Sequence, residues 1–461
     1  MFLVVLFLMW CAVFALWWYV KPRGPSPPVY PGALPVIGHG HRLLGDALLI
    51  TDVEDCLTLS NTCLDKPYIY DFGKDLYGRG LVTADAVIWK PHRKLLNPAF
   101  NQQILNTFVQ EYSAQARRLV SELAPEAGKD PFDVVPFLLN NVLRSVYKTT
   151  IGVKPNDHEQ EEALKNYAFA TERFFALLGN RIQSVWLHVP VFFNMSYLKK
   201  DHDAIVKSLK NITEKIIMNR KSELTQNIYS DSIKEPTSGY KSVLDQLLDV
   251  GEKQVFTDEE IREHLDTIIG AAYDSSTRVM TVCLILIGSY PDIQAKIFKE
   301  LQEVLDDPDR DLTKHDLPKL MYLEAVLKET LRLYPSVPRI GKCSQSAVKL
   351  KHYTFPAGTT FALSLYGINR HPMWGADANE FNPERWLDPA TLPDNPNAFA
   401  SFSIGKRNCL GKQSAMMSMK TTLAYILRRY RVIGDIRNVQ FKCDLILKGV
   451  SGHHIRLELR T

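Results

Sequence analysis

One short segment restricts the fold more than any other part of the chain. It reads Phe402-Ser-Ile-Gly405-Lys-Arg407-Asn-Cys409-Leu-Gly411, and a helix-like run from Lys412 to about Arg429 follows it. A thiolate directly before a helix N-terminus is stabilised by the helix dipole and by free backbone N–H groups. Gly405 permits a tight bend, and Gly411 leaves room for a flat group against the loop. A lone cysteine is more often a buried structural thiol, but this surrounding pattern favours Cys409 as a metal ligand.

Composition excludes several other classes of protein. Hydrophobic residues make up 46% and charged residues 23% of the 461 residues, as in a packed globular chain. A net charge of +4 without a dense basic stripe argues against a nucleic-acid-binding protein. The seven cysteines lack CxxC spacing, which argues against a disulfide framework and a structural zinc site.

The N-terminus is predicted to be a membrane anchor. Residues 1–20 carry no charge and would span roughly 30 Å as a helix. Lys21 and Arg23 follow, so the rest of the chain is expected in the cytosol. A cleaved signal peptide is the alternative, although the apolar run is long for one. Residues 21–35 contain six prolines and predict a stiff tether.

Residues 36–461 read as one large domain that is mainly α with a small β region. Helical periodicity extends over most of 53–335, while 47–51, 346–366 and 438–459 are strand-like. The clearest helix is expected to begin at Thr257, where Glu260 completes a capping box, and to end near Tyr290 before a proline. A largely apolar helix of that length belongs in the middle of a domain.

The segment Phe402–Gly411 resembles the haem-binding loop of the cytochrome P450 family. The resemblance implies the cytochrome P450 fold and a haem b whose iron is ligated by the Cys409 thiolate. Arg407 is expected to reach a haem propionate. The loop residues that the resemblance places at the haem are Phe402, Gly405, Arg407, Cys409 and Gly411.

Further motifs resemble the same family. In Trp89-Lys-Pro-His-Arg93 the tryptophan and the arginine share a helix face, where both are expected to bind propionate. Lys342 stands where related enzymes often carry an arginine for the same carboxylates. The resemblance also implies a structural triad, which consists of Glu329, Arg332 and Arg385.

The long helix contains Ala271-Ala-Tyr-Asp274-Ser275-Ser, which resembles the family's oxygen-activation segment. Asp274 and Ser275 are the predicted catalytic residues, because an acid beside a hydroxyl can relay protons. Ala272 and Ser275 replace the usual glycine and threonine, so more peroxide release is expected. Tyr273 is expected to narrow the space over the iron.

Other segments are most similar to the fatty-acid ω-hydroxylase group and its insect relatives. These are Leu265-Asp-Thr267 and Arg93-Lys-Leu-Leu-Asn-Pro-Ala-Phe100. In that group a glutamate often forms an ester with the haem, but Ala271 fills its place here, so no covalent link is expected. The family's first helix and first strand are expected to be missing near 45–47, which would expose a sheet edge. An incomplete gene sequence is the preferred explanation.

The resemblance implies a monooxygenase of the endoplasmic reticulum membrane that acts on a hydrophobic small molecule. No dinucleotide-binding fingerprint is present, so electrons are expected from NADPH-cytochrome P450 reductase, with cytochrome b5 as a possible second partner. Two alternatives stay open, namely a reductase-independent haem-thiolate isomerase and a relative inactivated by the missing segment. A basic face is predicted to bind the reductase, although ordinary solvated cations are the alternative. Its predicted members are Lys90, His92, Arg93, Lys94, Lys412, Lys420, Arg428 and Arg429.

Overall fold

The computed structural model describes residues 47–152, 158–229, 241–252, 256–307 and 309–460. The predicted membrane anchor (1–20), the predicted tether (21–35) and the stretch 36–46 lie outside the described residues. Among the residues that are described, no helix is both long and apolar enough to cross a bilayer.

Helices make up most of the described chain, so the predicted mainly α architecture is confirmed. Turns of 3-10 helix, such as Tyr68–Gly73, Val185–His188 and Pro383–Trp386, lie between several of them. The α-helices in chain order are α1 (Val53–Thr62), α2 (Lys74–Tyr77), α3 (Ala86–Leu96), α4 (Gln102–Thr107), α5 (Val109–Leu123), α6 (Val135–Val146), α7 (His158–Gln183), α8 (Pro190–Met195), α9 (Tyr197–Tyr229), α10 (Val243–Glu252), α11 (Asp258–Ser289), α12 (Pro291–Val304), α13 (Met321–Leu333), α14 (Leu365–Ile368) and α15 (Lys412–Arg429).

The strands are short and form small sheets, as the sequence predicts. They are β1 (Leu48–Ile50), β2 (Phe132–Asp133), β3 (Arg339–Cys343), β4 (Val348–Lys349), β5 (Thr354–Phe355), β6 (Thr360–Ser364), β7 (Tyr430–Ile433), β8 (Gln440–Cys443), β9 (Leu447–Ser451) and β10 (His454–Leu459). In one sheet β6 lies between β1, its parallel neighbour, and β3, its antiparallel neighbour. In another, β10 lies between β2 and β7. The pairs β4–β5 and β8–β9 are antiparallel.

Strand β1 lies at the edge of its sheet within the part of the chain that the structure describes. Its central residue, Leu49, is 48% exposed. An exposed apolar edge strand is a site where further strands can add. Among the described residues no further strand pairs with this edge, and the expected absence of a first helix and a first strand stays a prediction.

Helix α11 is the central helix that the sequence predicts. Thr257 caps it: its hydroxyl accepts from the Glu260 backbone N–H, and the Glu260 carboxylate accepts from the Thr257 N–H. The helix then continues to Ser289 as a regular α-helix, and Pro291 begins α12. Most of its side chains are buried. Its expected start, end and central location are confirmed.

Two apolar clusters meet along α11. Ile261, Leu265 and Ile269 belong to a cluster with α7, α9 and α10. From Tyr273 onward the helix belongs to a second cluster with α6, α12, α13 and α15. Between them lie three small residues at 270–272, and Ala271 is exposed although the residues on both sides of this stretch are mostly buried. The small residues therefore lie at the boundary between the two apolar clusters, where the helix is accessible. This stretch is called the open boundary.

The predicted triad of Glu329, Arg332 and Arg385 is present in the structure. Arg332 donates to both carboxylate oxygens of Glu329, from Nε at 2.8 Å and from Nη2 at 2.7 Å. Arg385 Nε donates to Oε1 of Glu329 at 3.0 Å. Trp386 Nε1 and the Asn382 backbone N–H complete the set of donors to Glu329. All three charged side chains are buried, so the triad joins α13 to the 3-10 turn that contains Arg385.

Candidate functional site

The loop before α15 is closed by its own backbone. The N–H of Cys409 donates to the carbonyl of Phe402 at 2.9 Å. Gly405 has a φ of +73°, which favours glycine. A Cβ at Gly405 would lie 2.6 Å from Cβ of Ser60 on α1. The tight bend predicted at Gly405 is therefore present, and close packing against α1 gives glycine a second reason there.

The Cys409 thiol lies at the N-terminus of α15. Its side chain is accessible, although it lies deep among protein atoms. Burial raises the pKa of this thiol, whereas the N–H groups of Gly411 and Lys412 and the Arg93 guanidinium lower it. Burial outweighs the helix terminus, so the predicted dipole effect alone does not give a thiolate. A metal cation bound to this sulfur would favour its thiolate form, because a coordinating thiol is deprotonated.

Phe402 and Gly411, at the two ends of the cysteine loop, differ in their packing against the rest of the protein. Phe402 is partly buried and packs against the second apolar cluster, while Leu410 packs against the first, so the loop meets the same boundary as α11. Gly411 has an ordinary φ of −86°. A Cβ there would meet no described atom within 4 Å. The protein's own packing therefore does not require Gly411, and its predicted contact with a flat cofactor stays a prediction.

Helix α3 brings the upstream motif to this loop. Arg93 Nη1 donates to the carbonyl of Asn408 at 2.8 Å, and Nη2 donates to Oδ1 of Asn408 at 3.2 Å. The Arg407 guanidinium lies 4.9 Å from the centre of the Trp89 ring. The structure thus gathers Trp89, Arg93 and Arg407 beside Cys409, as the sequence predicts.

Arg407 also has partners that the sequence does not indicate. Its Nη1 donates to the carbonyl of Leu64 at 2.6 Å, and its Nη2 donates to the carbonyls of Leu81 and Ala84 at 2.9 and 3.0 Å. Fewer of its N–H groups are left for a propionate than the resemblance implies. Arg407 therefore ties the cysteine loop to the chain before α3.

Lys342 is a buried cation without a partner among the described residues. The residue is 0% exposed on β3, and its Nζ has no hydrogen-bond partner among the described residues. Burial, followed by Lys66 and Arg407, lowers the pKa of Lys342 to about 7. A buried cation without a partner is unfavourable unless an anion joins it.

A second lysine, Lys66, lies beside Lys342. The sequence does not predict that these two residues are neighbours. The backbone of the preceding Asp65 bridges to Cys343, which places Lys66 beside Lys342. Lys66 is half-buried, and burial, followed by Arg407, lowers its pKa to about 7 as well. No motif surrounds Lys66, because its closeness to β3 arises from a pairing between distant parts of the chain.

The donor set fits a haem. An accessible thiol, a stretch of small residues at the open boundary on α11, and three neighbouring cations match an iron porphyrin with two carboxylates. The cations are Lys66, Lys342 and Arg407, and none forms an ion pair with a carboxylate in the described part of the chain. Two propionates would supply the negative charge that this cluster lacks.

The predicted catalytic pair lies on α11 at the open boundary. Asp274 is buried and accepts from Arg278 Nε at 2.9 Å, one helical turn on. Ser275 Oγ donates to the carbonyl of Ala271 at 2.8 Å. The two side chains are therefore not hydrogen-bonded to each other. Ser275 shares the helix face of the exposed Ala271, whereas Asp274 faces Arg278.

The prediction that Tyr273 narrows the space over the iron is wrong. Its side chain is buried in the second apolar cluster, and its hydroxyl donates to the carbonyl of Ala168 on α7 at 3.3 Å. Tyr273 is two residues from Ala271, so it points away from the face that carries Ala271 and Ser275. It packs α11 against α7 instead.

The fold and this cysteine-centred site define a haem-thiolate protein. The sequence profile described as "Cytochrome P450" matches residues 59–448. The chain is 31% identical over 412 residues to cytochrome P450 4c21 of Blattella germanica, covering 88% of this chain and 82% of that protein. It is 30% identical to cytochrome P450 4d8 of Drosophila melanogaster, covering 91% and 92%, and 31% identical to cytochrome P450 4V2 of Homo sapiens, covering 89% and 79%.

The chain therefore belongs to the cytochrome P450 family, and the resemblance found in its motifs is confirmed. It is a haem-thiolate monooxygenase, an oxidoreductase whose haem iron is held by a cysteine thiolate. Insect and vertebrate proteins of the same numbered group are among its relatives, as the sequence predicts.

Proposed function

We propose that this monooxygenase inserts one oxygen atom of dioxygen into a C–H bond of a hydrophobic small molecule, with electrons from NADPH delivered by a separate reductase. The observation that carries the proposal is the accessible Cys409 thiol at the start of α15, in a loop whose residues Phe402 and Leu410 pack against the two apolar clusters that meet along α11. Haem, when bound there, supplies an electron-rich thiolate-ligated iron that favours O–O cleavage.

The residues around the thiol have distinct roles in this proposal. Cys409 ligates the iron, and Gly405 holds the loop in the bend that presents the sulfur. The propionates are held by Trp89, Arg93 and Lys342. The remaining loop residues, Phe402, Arg407 and Gly411, shape the haem's surroundings, with Arg407 acting mainly through the backbone carbonyls that it already binds.

Asp274 and Ser275 are proposed to supply protons. Arg278 contacts Asp274 at 2.9 Å and the exposed Glu172 at 3.5 Å, so one ion-paired residue separates the Asp274 carboxylate from an exposed side chain. Ser275 Oγ needs only to rotate away from the Ala271 carbonyl to face the open boundary. Asp274 would accept protons from water, because a guanidinium does not release one, and would return them through water to the Ser275 hydroxyl, which donates to the reaction.

The predicted reductase-binding face requires correction. Lys420 is 4% exposed, and its Nζ donates to Glu324, while His92 is 9% exposed and contacts α11. Neither is available on a docking surface. The exposed cations of the predicted set form the docking surface in the present proposal, and they are Lys90, Lys94, Lys412 and Arg429.

The proposed location is the endoplasmic reticulum membrane. The support is the uncharged run at 1–20 followed by Lys21 and Arg23. Such an anchor would bring the catalytic domain close to a membrane-bound reductase and to substrates dissolved in the bilayer. Cytochrome b5 would use the same exposed cations.

The test uses the full chain in detergent and the difference spectrum of its ferrous carbon monoxide complex. The red-shifted Soret band of thiolate-ligated haem is expected from the wild type and should disappear in Cys409→Ser. Cys443→Ser is the matched control, because Cys443 is a partly buried thiol on β8. With reductase, NADPH and isotopically labelled dioxygen, one labelled oxygen atom should appear in the product. Conversion of a peroxide without reductase, and without label, would support the isomerase alternative instead.

A further inference from the structure

One buried hydroxyl beside the open boundary has no role in the site described above. We propose that Tyr77 is a specificity-determining residue, whose phenol hydroxyl donates a hydrogen bond to an uncharged oxygen of a hydrophobic substrate, such as that of a ketone, an ester or an alcohol. This inference rests on the proposed function, because it names the class of substrate that the same site takes. Tyr77 binds and orients the substrate and has no part in the chemical step.

Tyr77, the last residue of α2, lies over the start of the open boundary. A Cβ at Gly270, the first of the three small residues, would lie 2.7 Å from Oη of Tyr77. The phenol therefore occupies the space that a side chain at Gly270 would fill. Gly270 is directly followed by the exposed Ala271, which shares its helix face with Ser275. The hydroxyl thus lies beside the part of α11 at which the proposed reaction takes place.

The hydroxyl of Tyr77 is a donor that the protein itself does not satisfy. The residue is 7% exposed, and its Oη has no hydrogen-bond partner among the described residues. Two buried tyrosines on the adjoining helices differ in this respect: Tyr167 Oη donates to Asp266 at 3.3 Å, and Tyr273 Oη donates to the carbonyl of Ala168 at 3.3 Å. Buried polar groups are normally paired, and an unpaired one is unfavourable. An acceptor on the substrate would satisfy this donor.

The backbone on both sides of Tyr77 is fixed to α11. Arg262 Nη1 donates to the carbonyl of the residue before Tyr77 at 3.2 Å. The N–H of Arg79, two residues after Tyr77, donates to Oε2 of Glu263 at 2.7 Å. A donor on a fixed segment loses little conformational freedom when it binds a ligand, so its hydrogen bond contributes to selectivity.

Substrate binding requires a small rotation of the Tyr77 side chain. The hydroxyl is covered by protein atoms where the ring lies over Gly270. Because Gly270 has no side chain, a rotation of the ring toward Ala271 crosses only helix backbone. Such a rotation presents the hydroxyl at the open boundary while α2 and α11 keep their positions.

The charges near Tyr77 favour an uncharged acceptor. Burial, followed by the negative charge of Asp266, raises the pKa of Tyr77, so the phenol stays a neutral donor. Arg262 is close by, but its Nη1 already donates to Asp266 at 2.8 Å. A substrate carboxylate would lose its hydration here without gaining an unpaired cation. The oxygen of a ketone, an ester or an alcohol costs less to desolvate and accepts the same hydrogen bond.

The test titrates the haem-loaded full chain in detergent with three ten-carbon probes, namely 2-decanone, decane and decanoic acid. The change in the Soret band on binding gives each dissociation constant. Because a hydrogen bond between neutral groups is lost, Tyr77→Phe should bind 2-decanone about threefold to tenfold more weakly and decane equally well. Tyr273→Phe is the matched control, since it removes a hydroxyl that is bonded within the protein, and its affinities should equal those of the wild type. The wild type should bind decanoic acid more weakly than 2-decanone.

A second measurement separates substrate binding from folding. The unfolding free energy of Tyr77→Phe should equal or exceed that of the wild type, because a buried donor without a partner has been removed. That of Tyr273→Phe should fall, because the carbonyl of Ala168 loses its donor. With reductase and NADPH, Tyr77→Phe should also oxidise 2-decanone at a wider range of carbon atoms, since the ketone is no longer held in one orientation.

The outcomes distinguish the two proposals. A wild-type chain without a thiolate-type Soret band would overturn the proposed function and this inference together. With a normal wild-type spectrum, equal affinities of wild type and Tyr77→Phe for 2-decanone would overturn the role of Tyr77 alone, as would binding of none of the three probes. Equal weakening for 2-decanone and decane, or a lower unfolding free energy of Tyr77→Phe, would also overturn it, because the hydroxyl would then be structural. Tighter binding of decanoic acid than of 2-decanone to the wild type would overturn the uncharged class of substrate.

Discussion

At the scale of single residues, Asp274 gives the sharpest test of the proposed proton supply. Asp274→Asn keeps the size of the side chain but removes its charge and its ion pair with Arg278. Because positioned proton transfer contributes at least roughly 100-fold, product formation should fall by about that factor while the carbon monoxide spectrum stays unchanged. The rate of product formation with reductase and NADPH is the measurement. Asp292→Asn, at an exposed acid on α12, is the control, and equal loss in both variants would contradict the role of Asp274.

Ser275 is expected to affect how the reducing equivalents are used. Ser275→Ala removes the hydroxyl on the face of the open boundary, so more of the consumed NADPH should leave as hydrogen peroxide. Ser275→Thr should shift the balance toward product, since it restores the family's usual residue. The ratio of peroxide to product reports the effect. Ser276→Ala changes a buried neighbour on another face of α11 and should leave that ratio unaltered.

At the scale of elements, Gly405 connects the cysteine loop to α1. In Gly405→Ala a left-handed backbone, which costs an L-residue about 1–2 kcal/mol, combines with a Cβ placed 2.6 Å from Ser60. The variant should therefore lose haem and melt at a lower temperature. Gly358→Ala is the matched control: φ is +81° there, but a Cβ would meet nothing within 4 Å. Equal effects of the two substitutions would show that packing against α1 is unimportant.

Helices α3 and α11 are joined by a buried pair of histidines. His264 Nε2 and His92 Nδ1 lie 3.0 Å apart, and burial, followed by His92, lowers the pKa of His264 to about 3. Since this pKa lies below the unfolded value of about 6.5, the pair stabilises the fold above pH 6.5 and less as the pH falls toward 3. From about pH 7.5 to about pH 5.5 the unfolding free energy should drop by about 1 kcal/mol from this residue.

Denaturant titrations at several pH values measure this dependence. His264→Phe should flatten it, because the side chain no longer gains a proton on unfolding. His315→Phe, which alters an exposed histidine, should keep the wild-type slope. A slope in His264→Phe as steep as that of the wild type would assign the pH dependence to other groups.

The elements themselves were largely predictable, for a physical reason. The capping box and the apolar character of α11 are determined by residues that are close in sequence. Helix α15 directly follows the cysteine loop. Strand β3 was not predicted, since Arg-Ile-Gly-Lys-Cys lacks a clean alternation and its stability comes from pairing with β6. Local patterns reveal periodicity, whereas pairing between distant segments leaves no local pattern.

At the scale of the whole molecule, the same distinction applies to the site. The gathering of Trp89, Arg93 and Arg407 was predicted because each belongs to a motif. The contact of the Lys66 segment with β3 joins parts of the chain that are far apart in sequence, and it follows from the fold alone. The burial of Lys420 and the orientation of Tyr273 were missed likewise, because burial of a helix side chain depends on which neighbours pack there.

The variant Glu329→Ala tests how strongly the stability of the whole domain depends on the buried carboxylate of the triad. Glu329→Ala leaves Arg332 buried without a counter-ion and leaves Arg385 with Asp377 alone, although backbone carbonyls still accept from both arginines. Breaking a buried ion pair in this way costs about 3–5 kcal/mol, so the variant should unfold at much lower denaturant and accumulate without haem. Glu303→Ala removes an exposed partner of Lys299 and should cost less than about 1 kcal/mol. Equal unfolding midpoints for the two variants would mean that the fold is held behind the haem by apolar packing, with the triad contributing little.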